Sequence, residues 1–273
     1  MRAAIAALIA ALPWCASGAA AQVSDHFPGI ATAYAVSIDG NLTWAAQPDV
    51  PRQPASLAKL LTALVLLDQR GWNPDADVTV SAAAAGIEGS RIGLRRGEVL
   101  RAGDLLTGML VRSGNDACLA LVEQAAGNIR AFARLMNERA AALGMGASSF
   151  VHPCGLDAAG QHTTARDLLK LAEAARRNKP IAMRAGAEAA EVRTRAGRQI
   201  RFRNSNALIG REPLAVGLKS GFTSQAGNCL IALAERDGHY VLVVLLDSPD
   251  RWWEVTSAIA RAMARAAPGA RLD

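Results

Sequence analysis

Ser56 and Lys59 have the residue types and the spacing of a nucleophile and its base. They lie in the segment Pro54-Ala55-Ser56-Leu57-Ala58-Lys59, and the mainly apolar run 60–67 that follows has no glycine or proline, which predicts a buried helix beginning near Ser56. Residues three apart lie on one helix face, so the hydroxyl and the amine would meet. A serine hydroxyl becomes a nucleophile when a neighbouring base takes its proton. A lysine can be that base once burial or nearby positive charge makes it neutral.

Two further motifs distinguish this interpretation from a simpler one, in which a capping serine precedes a surface lysine. Ser113-Gly114-Asn115 and Lys219-Ser220-Gly221 follow the first motif in chain order. The combination of S-x-x-K with S-D-N and K-T-G is typical of class A β-lactamases and penicillin-binding proteins, which use an acylated serine. The three motifs together predict a serine acyl-transfer site.

The elements that must position these motifs are strands near both ends of the chain and helices between them. Alternating and β-branched runs bounded by turn residues predict strands at 30–38, 42–45, about 192–203, 217–222, 228–235 and 240–246. Asp39-Gly40 and Asp237-Gly238 predict tight hairpin turns. Helical periodicity predicts helices at 102–110, 118–126, 129–143, 164–176 and 251–266.

This order of elements predicts an α+β fold, because one antiparallel sheet must join the N-terminal and C-terminal strands. The helical middle, roughly residues 74–164, becomes an inserted lobe, and it shows no strand-like alternation. Ser56 would then open a helix behind the sheet, Ser113 would lie on a loop of the lobe, and Lys219 would lie on an edge strand. The motifs would meet in the cleft between sheet and lobe, where pockets commonly form.

Residues 1–21 have the pattern of a signal peptide. Arg2 supplies a positive start, 3–12 is apolar, and Ala19-Ala20-Ala21 offers a small-residue cleavage site. Cys15 follows Trp14, which is too large for lipid attachment at that cysteine. We therefore expect export to the periplasm with cleavage near Ala21, no transmembrane anchor, and one catalytic domain over 22–273.

Composition narrows the classes of partner. Of the 273 residues, 51% are hydrophobic, enough for a sizeable core, and the net charge is +6. Export argues against nucleic acid as the partner. The positive charge suits an anionic cell wall or membrane face, and a solvated arginine-rich surface is the alternative.

The histidines and cysteines predict neither a metal site nor a cofactor. The four histidines form no H-E-x-x-H or similar spacing, and there is no C-x-x-C. Cleavage near Ala21 would leave Cys118, Cys154 and Cys229, and an odd number leaves at least one free thiol. Cys118 and Cys229 lie in apolar stretches and are predicted to be small core residues.

The chain resembles the serine-type D-alanyl-D-alanine carboxypeptidases, the low-molecular-mass penicillin-binding proteins of peptidase family S11. The resemblance runs through nearly all of the chain after residue 21. Besides the three motifs, it includes Gly89-Ser90, 97–115, His152-Pro153-Cys154-Gly155-Leu156-Asp157, 163–168, Asn204-Ser205-Asn206, Gly221-Phe222-Thr223 and 226–230. It implies a penicillin-binding-protein/β-lactamase-like fold, peptidoglycan stem peptides ending in D-Ala-D-Ala as substrates, and β-lactams as inhibitors.

The resemblance implies a role in acylation for four residues. Ser56 would be the nucleophile and Lys59 its general base. Ser113 would relay a proton to the leaving D-alanine. The backbone N–H groups of Ser56 and Phe222 would form the oxyanion hole.

It implies a role in substrate binding for the remaining site residues. Asn115 would hold the substrate amide, and Lys219 would attract the terminal carboxylate and lower the pKa of its neighbours. Ser220 would donate a hydrogen bond to that carboxylate, next to Gly221 of the same motif. Arg251 matches a family arginine that helps to hold the carboxylate, with a surface residue at a helix start as the alternative.

Departures from the family pattern leave alternatives open. Ser220 replaces the more common threonine, and the hydroxyl survives. From the end of the sequence at residue 273 we expect no further β-rich domain or anchoring helix, as in shorter members, some of which are endopeptidases that cut D,D-crosslinks. A class A-like β-lactamase would need the glutamate of an E-x-x-L-N loop, which the sequence lacks. An inactive wall-binding module would have no reason to keep all three motifs.

Overall fold

The computed structural model describes residues 23–249 and 252–266. The predicted signal peptide, residues 1–21, lies outside the described residues, and so does Arg251. The strands are β1 (Ala33–Ile38), β2 (Asn41–Ala46), β3 (Asp77–Thr79), β4 (Val99–Arg101), β5 (Ala189–Arg193), β6 (Gln199–Arg203), β7 (Ala215–Thr223), β8 (Gly227–Arg236) and β9 (His239–Ser248). The helices are α1 (Ala58–Asp68), α2 (Ala82–Gly86), α3 (Ala102–Val111), α4 (Asn115–Ala126), α5 (Ile129–Ala142), α6 (Ala165–Arg177), α7 (Lys179–Ala185) and α8 (Trp252–Ala266).

The main sheet joins the two ends of the chain, as the sequence predicts. Its strand order is β2-β1-β9-β8-β7 and every neighbouring pair is antiparallel. β1 is buried on both faces, since Ala33 and Ala35 face the core shared with α1 while Tyr34 and Val36 face the core shared with α8. β7, which carries Lys219, lies at one edge, also as predicted.

Both predicted hairpin turns are confirmed. Asp39 and Gly40 have φ values of 49° and 84°, and Asp237 and Gly238 have φ values of 52° and 82°. Two successive residues in the left-handed region are what a type I′ turn requires, and an Asp-Gly pair supplies them at low cost. The turns fix the registers of β1 with β2 and of β8 with β9.

The helix predicted after Ser56 is α1, and it is buried on nearly all sides. Residues 58–66 are all buried, which explains why its sequence is apolar without a polar stripe. Ser56 lies in a single 3₁₀ turn, Ala55–Leu57, that leads directly into this helix. The chain therefore holds Ser56 at the rigid N-terminal end of a core helix.

The prediction of a lobe without strands was wrong. β3 and β4 pair within it as a two-stranded sheet, in which Val78 and Leu100 are the buried members. Strands of three residues are too short to show alternation, which is why the pattern was not visible in the sequence.

The single strand predicted near 192–203 was also wrong. This segment contains the turn of a hairpin, in which β5 pairs with β6 apart from the main sheet. Gly197, with a φ of 90°, lies in the connection and allows the reversal.

The cysteine prediction needs one correction. Cys118 and Cys229 are fully buried, as expected, but Cys118 is joined to Cys154 in a disulfide. Cys229 is a free, buried thiol. The half-cystines are 36 residues apart, and their spacing alone does not show that α4 and the loop before residue 155 lie side by side.

In the ranges 23–249 and 252–266, no helix combines the length and the apolar character needed to cross a membrane.

Candidate active site

An open cleft of about 520 Å³ lies where the three motifs meet. One wall comes from the sheet and the start of α1, and the other comes from the helical lobe. The lining residues are Ser56, Gly89, Ser90, Ser113, Ser205, Ser220, Gly221, Phe222 and Asn228. The structure thus brings all three motifs to one site, although the first and the third begin 163 residues apart in the chain, at Ser56 and Lys219.

The amine of Lys59 lies at the base of this site and is fully buried. Its Nζ lies 2.8 Å from the Oγ of Ser56. It also donates to the Oδ1 of Asn115 at 2.7 Å and to the backbone oxygen of Cys154 at 2.5 Å. The amine therefore has three polar partners, and two of them are carbonyl oxygens that can only accept a hydrogen bond.

The charge state of Lys59 follows from its surroundings. Burial, and next the positive charge of Lys219, hold the pKa of Lys59 well below its ordinary value, and the carboxylate of Asp116 acts in the opposite direction. Asp116 is itself fully buried and accepts hydrogen bonds from the backbone N–H groups of Ile92, Gly93 and Leu94. These effects favour a neutral amine at Lys59.

Asn115 is held on three sides. Its backbone N–H donates to the oxygen of Ser90 at 2.7 Å, and its Nδ2 donates to the oxygen of Glu88 at 2.7 Å. That second bond fixes the amide so that Oδ1 faces Lys59. A Cβ placed on Gly89 would lie 2.8 Å from the Nδ2 of Asn115, so the close approach requires glycine. Asn115 is buried beneath the cleft, and its predicted contact with a substrate amide stays a prediction.

Ser113 lies on the loop between α3 and α4, as predicted, and lines the cleft. Its φ is 64°, in the left-handed region that few residues other than glycine adopt. Backbone strain of this kind costs about 1–3 kcal/mol and persists where surrounding contacts impose it, often at functional sites. Here the N–H of Gly114 is bound to the oxygen of Gly108 and that of Asn115 to Ser90.

Lys219 and Ser220 lie on β7 and are linked through Ser205. The Nζ of Lys219 donates to the backbone oxygen of Ser220 at 2.8 Å and to the Oγ of Ser205 at 3.3 Å. The Oγ of Ser220 donates to the backbone oxygen of Ser205 at 3.0 Å. Burial lowers the pKa of Lys219 to about 7. In the sequence, Ser205 is marked only by the resemblance of Asn204-Ser205-Asn206. The structure shows that it contacts both Lys219 and Ser220.

β7 passes directly over the start of α1. A Cβ on Gly221 would lie 2.7 Å from the backbone nitrogen of Ser56, so glycine is required for this approach. The side chain of Phe222, the next residue, lines the cleft and is 67% exposed. β7 therefore carries the third motif past the backbone amide of Ser56.

The loop containing Cys154 packs behind the 3₁₀ turn of Ser56. Gly155 has a φ of 78°, and a Cβ there would lie 1.9 Å from the backbone oxygen of Ala55. The Oγ1 of Thr62, on α1, donates to the oxygen of Pro153 at 2.7 Å. In the sequence, this segment is marked only by a resemblance, and no contact between it and Lys59 is predicted.

Among the described side chains, no three histidines, cysteines, aspartates or glutamates come together in a way that could hold a metal ion. The position of Arg251 lies outside the described residues, so its predicted role stays a prediction.

Comparison with known proteins gives one family. The model of the peptidase S11 family, described as D-alanyl-D-alanine carboxypeptidase, matches residues 21–250. The D-alanyl-D-alanine endopeptidase of Escherichia coli is 32% identical over 245 residues, which are 86% of this chain and 77% of that protein. The carboxypeptidase DacF of Bacillus subtilis is 31% identical over 195 residues, or 70% of this chain. The chain spans only 50% of the length of DacF.

The fold has a close counterpart among solved structures. A D-alanyl-D-alanine carboxypeptidase from Mycobacterium tuberculosis superimposes with a TM-score of 0.82 at 27% sequence identity. The superposition covers 92% of this chain and 97% of that one. The predicted α+β fold of the penicillin-binding-protein type is confirmed.

Proposed function

Because the chain belongs to the peptidase S11 D-alanyl-D-alanine carboxypeptidase family, we propose that it is a serine-type D-Ala-D-Ala carboxypeptidase that acts through an acyl-enzyme on Ser56. Its substrates are peptidoglycan stem peptides ending in D-Ala-D-Ala, and β-lactams are its covalent inhibitors. It needs no metal or cofactor for this chemistry, since nucleophile and base are side chains.

The observation that carries this proposal is the set of partners around Lys59. A neutral amine has two N–H donors and one lone pair. The Oδ1 of Asn115 and the oxygen of Cys154 can only accept, so they occupy both N–H groups. The lone pair is then left for the Oγ of Ser56, 2.8 Å away, whose hydroxyl must donate. This is the arrangement in which a lysine removes a proton from a serine.

The acylation step follows from this geometry. The Oγ of Ser56 attacks the carbonyl carbon of the penultimate D-alanine while its proton passes to Lys59. The developing oxyanion receives hydrogen bonds from the backbone N–H groups of Ser56 and Phe222. Ser113 relays a proton to the amine of the departing D-alanine, and water then hydrolyses the ester.

Substrate orientation comes from the β7 side of the cleft. Lys219 attracts the terminal carboxylate, Ser220 donates a hydrogen bond to it, and Arg251 adds a second positive group. Asn115 holds the peptide amide. Gly221 permits the close approach of β7 to Ser56, because it has no side chain to collide with the backbone nitrogen of Ser56.

We place this activity in the periplasm. Residues 1–21 act as a signal peptide cleaved near Ala21, and 22–273 form one catalytic domain with the lobe inserted at about 74–164. The basic net charge suits contact with an anionic wall.

A D,D-endopeptidase activity on peptidoglycan crosslinks is the second candidate. It is supported by the extent of the match with the E. coli endopeptidase. The chain covers 77% of the length of that endopeptidase but only 50% of the length of DacF. Both activities use the same acylation step and differ in the leaving amine.

One experiment tests both. The protein is incubated separately with a pentapeptide ending in D-Ala-D-Ala and with a D,D-crosslinked muropeptide, and the products are weighed by mass spectrometry. Loss of one alanine from the pentapeptide supports the carboxypeptidase, and separation of the two stems supports the endopeptidase. If neither product forms, the proposal is wrong. Products that persist in a Ser56→Ala variant would also contradict it.

A further inference from the structure

The two groups that occupy the N–H bonds of Lys59 lie on segments that are covalently joined. One acceptor is the Oδ1 of Asn115, the first residue of α4. The other is the backbone oxygen of Cys154, in the loop behind Ser56. Cys118 lies one turn beyond Asn115 in α4, and its sulfur is bonded to that of Cys154. The disulfide therefore links the two acceptors of one amine.

Other contacts position each segment separately. Asn115 is bound to Ser90 and Glu88 within the lobe. The loop of Cys154 is bound to α1 through Thr62 and Pro153. The disulfide connects the two groups directly, and both half-cystines are at most 1% exposed.

From this arrangement we infer that the Cys118–Cys154 disulfide is a positioning element for Lys59, which holds the oxygens of Asn115 and Cys154 together so that the lone pair of the amine faces Ser56. The inference rests on the proposed role of Lys59 as base. It assigns to the disulfide a part in catalysis that is separate from a general contribution to stability.

Loss of the bond has a chemical consequence. If the two segments separate, the amine can rotate away from Ser56 and admit water, which stabilises its charged form. Reduction by a dithiol breaks the S–S bond and passes two electrons and two protons to the sulfurs. It leaves two thiols at Cys118 and Cys154 and converts the dithiol into a disulfide.

The test compares a double variant, Cys118→Ala with Cys154→Ala, against the wild-type protein and the control Cys229→Ala. Cys229 is buried like the other two but contacts backbone oxygens of Gln53, Ala226 and Gly227 and makes no contact with Lys59. The rate of acylation by a fluorescent penicillin is measured at a series of pH values. Displacement of a catalytic group typically costs about tenfold to a hundredfold in rate.

We expect the double variant to acylate at least about tenfold more slowly at neutral pH, with the midpoint of its pH profile moved to higher pH. The difference should narrow in alkali, where Lys59 becomes neutral in both proteins. Cys229→Ala should match the wild type in rate and midpoint. A double variant with the rate and midpoint of the wild type would overturn the inference, even if its melting temperature fell.

A second measurement avoids dependence on the folding of the double variant. The wild-type chain without residues 1–21 is made in a reducing cytoplasm, and half of the sample is oxidised afterwards with a small-molecule disulfide. Recovery of the rate and of the lower midpoint on oxidation supports the inference, and no change on oxidation overturns it. Failure of every form to bind penicillin at any pH would instead overturn the proposed function, and the inference with it.

Discussion

The positive charge of Lys219, on the edge strand, lowers the pKa of Lys59, at the start of the core helix. Both amines are fully or almost fully buried, and burial is the larger cause of the shift at Lys59. The first and third motifs are thus coupled electrostatically as well as joined by close backbone approach at Gly221. A site built in this way favours the neutral form of the Lys59 amine, and the folded protein bears the cost of burying two amines.

That cost predicts how stability depends on pH. Lys219 has a pKa of about 7 when folded and 10.5 in its ordinary state, so between these values the unfolded chain binds more protons than the folded one. The free energy of unfolding must therefore rise with pH across this window and be lowest at its acid end. Denaturant titrations at about pH 7 and pH 9 should show this rise.

A matched pair of variants isolates the contribution of Lys219. Lys219→Met should reduce the rise to the part that Lys59 contributes, while Lys179→Met, at an exposed position of α7, should keep the full rise. A slope in Lys219→Met as steep as in the wild type would show that Lys219 is not the group responsible.

Replacement of Lys59 by arginine tests the identity of the base. Arginine keeps a positive group but does not lose its proton in proteins, so it cannot accept the proton of Ser56. Loss of a general base typically lowers the rate by about 10²–10⁴-fold. We expect Lys59→Arg to lower penicillin acylation by about this factor, with Lys179→Arg unchanged. Near-normal acylation in Lys59→Arg would rule out Lys59 as the base.

Gly89 packs closely against Asn115, so a substitution at Gly89, outside the three motifs, tests the importance of the position of Asn115. Gly89→Ala places a methyl group 2.8 Å from the Nδ2 of Asn115 and should push that amide away from Lys59. Gly97→Ala is the control, because its φ of 82° is equally strained for alanine but no atom lies within 4 Å of the added methyl group.

The two glycine variants should therefore lose similar stability and differ in activity. We expect Gly89→Ala to acylate more slowly than Gly97→Ala by about tenfold or more, measured with the same fluorescent penicillin. Equal acylation rates would show that the position of Asn115 does not govern the reactivity of Ser56.

Recognition of a free carboxylate predicts a preference between substrates. Hydrogen bonds to charged groups contribute about 1.5–3 kcal/mol each. A peptide amidated at its terminal D-alanine should therefore release its last residue much more slowly than the free acid, measured by D-alanine or D-alaninamide release. Ser220→Ala should reduce this preference, while Ser224→Ala, beyond the third motif, should retain it. Equal rates on acid and amide would show that the carboxylate is not recognised.

Sequence predicted the parts of this molecule that have a strong local pattern. The helix after Ser56 is buried on nearly all sides and its sequence is a mainly apolar run, and the turns at Asp39 and Asp237 each have a following glycine. Strand β7 followed from the run around Lys219. The motifs were visible because acyl transfer requires specific residue types at fixed spacing.

The parts that sequence did not predict depend on contacts between distant segments. The carbonyl oxygen of Cys154 belongs to the backbone, so no residue type marks it as an acceptor for Lys59. The bond to Cys118 spans 36 residues without a characteristic spacing. Ser205 is marked in the sequence only by the resemblance of Asn204-Ser205-Asn206, and its contact with Lys219 appears only in the fold. Only the three-dimensional arrangement identifies these three contributions.

We expect penicillin to acylate Ser56, and the intact mass of the protein after exposure to penicillin is the decisive measurement. The wild-type protein should gain the mass of one penicilloyl group, and a folded Ser56→Ala variant should gain none. Peptide mapping should place the adduct on the segment that contains Ser56. An adduct that persists in Ser56→Ala, or that maps to Ser113 or another residue, would show that Ser56 is not the nucleophile.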